Sequence, residues 1–170
     1  MKKIIKKKRI YKKWTIPCII ILIIGFILGG ILYSYYSAPQ RIIKKYLKNR
    51  FTYSYNSIDN NMSERKNILS EEYIIITEDN GIIDNFLIEV NKNHITSRLG
   101  DYDIKSISKT DQNYYFIVKA TSYIQDVTNN IMKNEMVGLF IVQRYNLWRC
   151  FITNIEPIPI EDMDHENHNH

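Results

Sequence analysis

The chain has 170 residues, with 23 lysine and arginine, 18 aspartate and glutamate and 4 histidine residues, for a formal net charge of +5. This length allows one domain of ordinary size with an appendage and excludes most multidomain enzymes. Eight cations fall in residues 1–13, so the remainder carries 15 cations against 18 acids, a net charge of −3. This distribution argues against a nucleic-acid-binding protein, whose positive charge lies on a folded surface.

An apolar segment follows the basic N-terminus. Residues 15–36 contain no charged side chain, and about 20 consecutive apolar residues are enough to cross the hydrocarbon core of a bilayer. A helix is predicted, because lipid offers no hydrogen-bond partners to the backbone, and aromatic residues at both ends fit the membrane–water interfaces. The predicted membrane-anchor residues are Trp14, Ile16, Gly25, Gly29, Gly30, Tyr33 and Tyr36.

The charge asymmetry across this segment predicts its orientation in the cell membrane. The eight cations of residues 1–13 outnumber the five cations of residues 41–50, and the denser cluster is expected to stay in the cytoplasm. We therefore expect a basic cytoplasmic tail (1–14), a transmembrane helix (15–36) and an extracytoplasmic domain (40–157). A cleaved signal peptide is disfavoured, because the apolar run is long for one and Pro39 follows the best candidate cleavage site.

Small residues recur within the apolar segment. Gly25 and Gly29 form a G-x-x-x-G pattern, and Gly30 with Ser34 repeats the same spacing. Such spacing places small residues on one helix face, where two helices can approach closely. Self-association into a homo-oligomer and the ordinary abundance of glycine in membrane helices both remain open as interpretations.

Helical patterns continue beyond Pro39, which is expected to separate the span from the domain. Residues 40–51 show apolar residues at helical spacing with cations between them, and residues 62–69 and 82–90 contain further apolar stripes. Ser70, followed by two glutamates, has the pattern of a helix N-cap. Several helices are therefore predicted before any strand.

The apolar period changes to alternation after Asn93. The predicted strands are 95–99 and 102–108, separated by Gly100, and then 114–124, 135–145 and 147–155. In the last of these, Trp148, Cys150 and Ile152 share one face. Helices followed by an antiparallel meander predict the α+β class.

The final hairpin resembles that of the nuclear transport factor 2-like fold. The residues that carry this resemblance are the apolar strand 137–142, the turn at 145–146 and the sequence LWRCFI of residues 147–152. The resemblance covers residues 40–157 and implies a cone of helices packed on a curved antiparallel sheet. It also implies that Trp148, with Cys150 and Ile152, is a core anchor or the rim of a pocket on the concave side.

The complete layout is similar to that of the bitopic assembly subunit of type IV secretion and conjugation machines, and Mce-associated membrane proteins share it. The chain lacks the Asn-Pro-x-Gly motif of Gram-negative members and has one domain where several Gram-positive members have two. The resemblance implies a non-enzymatic scaffold of an envelope-spanning complex for conjugative DNA transfer. The implied partners are the lipid bilayer and other complex subunits; no direct nucleic-acid contact and no small-molecule substrate are expected.

The sequence contains no catalytic motif. His94 at a helix–strand junction is interpreted as a surface or capping residue, and Cys150 as a buried strand cysteine, because no histidine is placed to activate it. There is no phosphate loop, no G-x-S-x-G and no H-E-x-x-H. We therefore predict a protein without enzymatic activity, catalytic residues, cofactor or metal.

The C-terminal residues 158–170 are acidic and contain His165, His168 and His170. A disordered tail is predicted, with loose metal binding as the alternative.

Two other functions remain open. The cone can instead bind a ligand, as a sensor or chaperone-like module, which predicts a hollow on the order of several hundred Å³ near Trp148. The domain can also belong to a cell-wall or sporulation complex with the same architecture.

Overall fold

The computed structural model describes residues 2–79 and 82–159, and the side chains of residues 16–77 and 85–159. The side chain of Trp14, the residues Asn80 and Gly81, and the predicted tail from residue 160 onward, with its three histidines, lie outside this part of the chain. The chain divides into two units, Met1–Ser37 and Ala38–His170.

Helices precede a curled antiparallel sheet, which confirms the predicted α+β class. The elements are α1 (Lys2–Phe51), β1 (Tyr53–Ser54), α2 (Ile58–Lys66), α3 (Glu71–Asp79), α4 (Ile82–Lys92), β2 (Thr96–Lys109), β3 (Asn113–Gln125), β4 (Ile131–Arg144) and β5 (Cys150–Pro157).

The first unit contains the apolar segment of α1. Every side chain from Ile16 to Gly30 is exposed, and within the described residues α1 is the one helix that is long and apolar enough to cross a membrane. A Cβ atom built on Gly25, Gly29 or Gly30 would meet no other atom within 4 Å. The small-residue face is therefore open along this segment.

Helix α1 continues through Pro39, the residue at which the sequence predicts the boundary between the span and the domain. Proline has no N–H to donate and costs about 3 kcal/mol inside a helix. The residues that follow offset this cost, since Ile43 and Leu47 are fully buried in the core of the second unit and helices in proteins gain most of their stability from such packing. Pro39 is itself fully buried.

The sheet is a meander in the order β1-β2-β3-β4-β5, with every neighbouring pair antiparallel. In β3 the even-numbered side chains from Tyr114 to Ser122 are buried, and the odd-numbered ones are exposed or partly so, as the period of a strand requires. The buried face packs on α1. The main core cluster is Ala38, Ile43, Tyr46, Leu47, Phe51, Ile68, Leu69, Tyr114, Phe116, Val118, Ala120, Phe140, Val142, Cys150 and Ile152.

The two edges of the sheet differ. Strand β1 covers β2 at only two positions, Tyr53 opposite Ser97 and Ser54 opposite Thr96, so no described strand pairs with the outer side of β2 beyond that point. At the other edge, the segment before α3 forms a parallel bridge to Ile152 of β5. The amide of Ile152 donates to the carbonyl of Ile68 at 3.0 Å, and its own carbonyl accepts from the amide of Ser70 at 2.9 Å.

Gly100 does not separate two strands as predicted, because β2 runs through it with a bulge between Leu99 and Tyr102. A Cβ atom at this position would lie 2.8 Å from Cε2 of Tyr123. The absence of a side chain at Gly100 therefore lets the Tyr123 ring lie close to the backbone, and the glycine does not mark a turn.

The predicted boundaries of the last hairpin also need correction. Strand β4 begins at Ile131 and not at residue 135, and β5 begins at Cys150 and not at residue 147. The side-chain oxygen of Asn146 accepts hydrogen bonds from the amides of Trp148 and Arg149, each at 2.9 Å. This Asx turn fixes residues 145–149 as a loop, so Trp148 lies outside the strand.

Candidate functional site

Trp148 lies on the loop between β4 and β5, at the rim of a hollow of about 210 Å³. Its side chain is 57% exposed, which excludes a role as core anchor, whereas Cys150 and Ile152 are both core residues. The residues that line this hollow are Ala38, Arg41, Ile42, Lys45, Trp148 and Cys150. The hollow is shallow and smaller than the ligand hypothesis predicts, because α1 fills the concave side of the sheet.

The loop is fixed by Arg144 at the end of β4. The guanidinium of this buried residue donates from Nε to the phenol oxygen of Tyr114 at 3.0 Å and from Nη1 to the carbonyl of Leu147 at 3.3 Å. It also lies 5.2 Å from the centroid of the Tyr114 ring. The loop is thus held while Tyr145, 77% exposed, and Trp148 point away from the core.

The two candidate catalytic residues, Cys150 and His94, are placed unfavourably for catalysis. Burial raises the pKa of the Cys150 thiol, and this effect exceeds the lowering by the charges of Arg144 and Arg41. The thiol therefore stays protonated at neutral pH, which makes it a poor nucleophile. His94 is exposed, with φ of 45°, and its ring stacks edge-on against Tyr55 at 4.7 Å.

No group of three or more histidine, cysteine or acidic side chains is placed to hold a metal ion within the described residues.

A second hollow, of about 360 Å³, opens between the helices and the end of β5. We call it the arginine hollow, after the two guanidinium groups in its lining. Its described lining residues are Tyr46, Arg50, Arg65, Leu69, Tyr73, Thr77, Phe86 and Pro157. The sequence contained one signal of it, since Ile58, Met62 and Arg65 share a face of α2 and all three are buried.

The largest of the three hollows, about 550 Å³, lies where the ends of β2, β3 and β4 meet. Its walls include Ser97, Arg98, Tyr123 and Ile131. The Ser97 hydroxyl already donates to the carbonyl of Phe51 at 2.9 Å, and Arg98 stacks on the Tyr123 ring at 5.6 Å. The polar groups of this hollow are therefore largely engaged with the protein itself.

The outer edge of β2 is a candidate surface for partner strands. From Arg98 to Lys109 no described strand pairs with it, and two large apolar side chains on this strand are exposed, Tyr102 at 43% and Ile107 at 54%. An exposed ion pair, Lys105 Nζ to Asp103 Oδ2 at 3.8 Å, and a second bulge near Ile107 interrupt the edge. Charges and bulges of this kind limit uncontrolled pairing of edge strands.

No protein-family model and no curated protein matches the chain. Three solved structures are similar to it in part. A periplasmic fragment of TraM is 13% identical, over 69% of this chain and 93% of that chain, with a TM-score of 0.47. The periplasmic domain of DotI is 11% identical, over 70% of this chain and 91% of that chain, with a TM-score of 0.49.

The third similar structure is the solution structure of the putative transfer protein TraH from the Gram-positive conjugative plasmid pIP501. It is 17% identical, over 73% of this chain and 94% of that chain, with a TM-score of 0.47.

Proposed function

We propose that this chain is a non-enzymatic, membrane-anchored assembly subunit of an envelope-spanning complex for conjugative DNA transfer. In this proposal residues 1–14 lie in the cytoplasm, residues 15–36 cross the cell membrane, and the domain of residues 40–157 recruits other subunits outside. The conjugative assignment follows from the resemblance of this layout to the bitopic assembly subunits of such machines.

The open edge of β2 is the observation on which the recruiting role depends. Backbone N–H and C=O groups along an unpaired edge can accept a strand from another chain, and exposed side chains on that strand provide specificity. Tyr102 and Ile107 supply such side chains. An incoming strand from a partner subunit would extend the sheet without any change in its core.

The placement of the core helix supports an anchored role. The same element, α1, contains the apolar segment and the core residues Ile43 and Leu47. The recruiting domain therefore begins within the helix that carries the anchor. Burial raises the pKa of the Cys150 thiol, which makes this residue a poor candidate for a catalytic nucleophile.

The test is a transfer assay in the native host. Deleting the gene is expected to abolish DNA transfer, and the parent chain supplied in trans should restore it. Ile107→Lys should then lower transfer by about tenfold or more, because a lysine on the edge strand opposes strand addition and a loss of 1.4 kcal/mol in affinity is tenfold.

Ile88→Lys is the matched control, since Ile88 is comparably exposed, at 63%, but lies on α4. A deletion strain that carries Ile88→Lys should transfer DNA as efficiently as one that carries the parent chain. Normal DNA transfer in the deletion strain would contradict the proposal and would favour a cell-wall or sporulation complex instead. Equal transfer by both lysine variants would contradict the role of the β2 edge.

A further inference from the structure

Arg65 in the arginine hollow is a buried charged residue whose guanidinium has no partner among the described side chains. The residue is only 6% exposed, and its guanidinium makes no hydrogen bond or ion pair with any described residue. Burying an arginine in this way is unfavourable unless an anion compensates its charge. Burial lowers the pKa of Arg65, and the described neighbours that act on its charge are Tyr46, Arg50 and Tyr73.

A second cation faces the same space. The Arg50 guanidinium lies 5.5 Å from the centroid of the Phe86 ring, and Arg50 further lowers the pKa of Arg65 by repulsion. The described lining contains no carboxylate. Glu64, the acid next to Arg65 in sequence, is engaged with α1, since its carboxylate lies 3.6 Å from Lys45 Nζ and 3.5 Å from Asn49 Nδ2.

The remaining lining groups define what kind of ligand fits. Burial raises the pKa of Tyr73, so its phenol stays protonated and can donate a hydrogen bond. The Thr77 hydroxyl already donates to the carbonyls of Tyr73 and Ile74, at 3.0 and 2.9 Å. Leu69, Phe86 and Pro157 supply apolar walls. Two cations, a phenol donor and apolar walls are complementary to an anion that carries a small apolar group.

We propose that the arginine hollow binds a small molecule with an oxyanion, a carboxylate or a phosphate, attached to an apolar body, with Arg65 and Arg50 as the cationic ligands. A guanidinium can donate two parallel hydrogen bonds to either anion. The volume of about 360 Å³ lies at the lower end of the range for small-molecule sites. This binding activity is additional to the proposed assembly role and is independent of the β2 edge.

Calorimetric titration of the full chain in neutral-detergent micelles tests the proposal. The probes are sodium benzoate, sodium phosphate and benzyl alcohol, which has the size of benzoate without its charge, all at constant ionic strength in chloride. We expect one of the two anions to bind and to raise the unfolding temperature, and benzyl alcohol to do neither. Binding of benzoate alone identifies a carboxylate ligand, and binding of phosphate identifies a phosphate ligand.

The variants separate the hollow from general surface charge. Arg65→Met should lower the affinity for the anion by about tenfold or more, because it removes a charge-assisted hydrogen-bond donor. This variant should also fold at least as stably as the parent in chloride, since it removes a desolvated charge. Arg98→Met removes an arginine that does not line the arginine hollow, and this variant should bind the anion like the parent. Failure of both anions to bind, or parent-like binding by Arg65→Met, would overturn the proposal.

Discussion

Trp148 and Arg65 reverse the burial that is usual for their residue types. Tryptophan is normally well buried and arginine is mostly exposed, yet Trp148 is largely in solvent and Arg65 lies inside the domain. In each case a neighbouring segment decides the outcome: the Asx turn at Asn146 holds Trp148 outside the strand, and Arg65 shares the inner face of α2 with Met62. The exposed Trp148 contributes little to domain stability, and the buried charge of Arg65 lowers it unless an anion compensates the charge.

The exposure of Trp148 leads to a stability prediction. Trp148→Ala should lower the free energy of unfolding by no more than about 0.5 kcal/mol, as for other surface substitutions. Phe140→Ala should lower it by about 3–5 kcal/mol, since Phe140 is fully buried in the core. Urea unfolding of the full chain in neutral-detergent micelles, followed by circular dichroism, measures both. Equal losses in the two variants would show that Trp148 packs as a core residue.

At the residue scale, the sequence predicts burial well where strand alternation applies and poorly where a loop intervenes. Cys150 and Ile152 lie in β5 and are buried, in agreement with their alternation. Trp148 belongs to the same sequence pattern but precedes the strand. The hydrogen bonds of the Asn146 side chain end the alternation there, and no hydrophobic pattern records them.

Among the secondary-structure elements, α3 is the one whose first residue is most clearly predicted by the local sequence. The amide of Tyr73 donates to the Ser70 hydroxyl at 3.3 Å, which is the N-cap that Ser70 and the two glutamates after it predict. The Ser70 amide also donates to Ile152 of β5. This one residue therefore begins the helix and closes the edge of the sheet.

The cap predicts a graded series of variants. Ser70→Ala should lower the free energy of unfolding by about 1 kcal/mol, because it leaves a helix N–H without its acceptor. Ser70→Asp should keep nearly the parent stability, since its carboxylate accepts the same bond and favours the helix N-terminus. The alanine variant keeps the backbone bond to Ile152, so the difference reports the side chain alone. Equal stability of all three chains in urea unfolding would show that the cap is not needed.

Other element boundaries depend on contacts that are distant in sequence. Strand β2 continues through Gly100 because the Tyr123 ring occupies the space beside it, and α1 continues through Pro39 because the following residues pack on the sheet. Both positions carry a residue that locally favours a break. Local propensity predicts the existence of these elements, and packing determines where they end.

For the whole molecule, the order of helices and strands predicts the α+β class, while the arginine hollow could not be predicted. Its lining residues range from Tyr46 to Pro157 and meet only in the folded domain. The periodicity of α2 indicates that Arg65 faces inward, but the neighbouring Arg50 lies on a different helix. The fold class follows from the pattern of apolar residues along the chain, whereas this hollow is formed by contacts between residues that are distant in sequence.

The proposed membrane topology has a direct test in intact cells. Ser63→Cys places a thiol on the exposed surface of α2, and a membrane-impermeant maleimide should label it from outside. The background is expected to be low, because Cys150 is buried and Cys18 lies in the apolar segment. Lys3→Cys should react only after lysis. The opposite labelling pattern would invert the proposed orientation.

The bridge at Ile152 has a consequence for how many copies could assemble through their sheets. Its N–H and C=O already bond to the segment before α3, so a second chain meets engaged backbone groups at this position, whereas no described strand pairs with the outer side of β2 beyond Ser97. A sheet that continues through many copies needs two open edges on each molecule. Copies that joined through their sheets would instead pair β2 with β2 about a two-fold axis, and assembly would stop at a symmetric dimer.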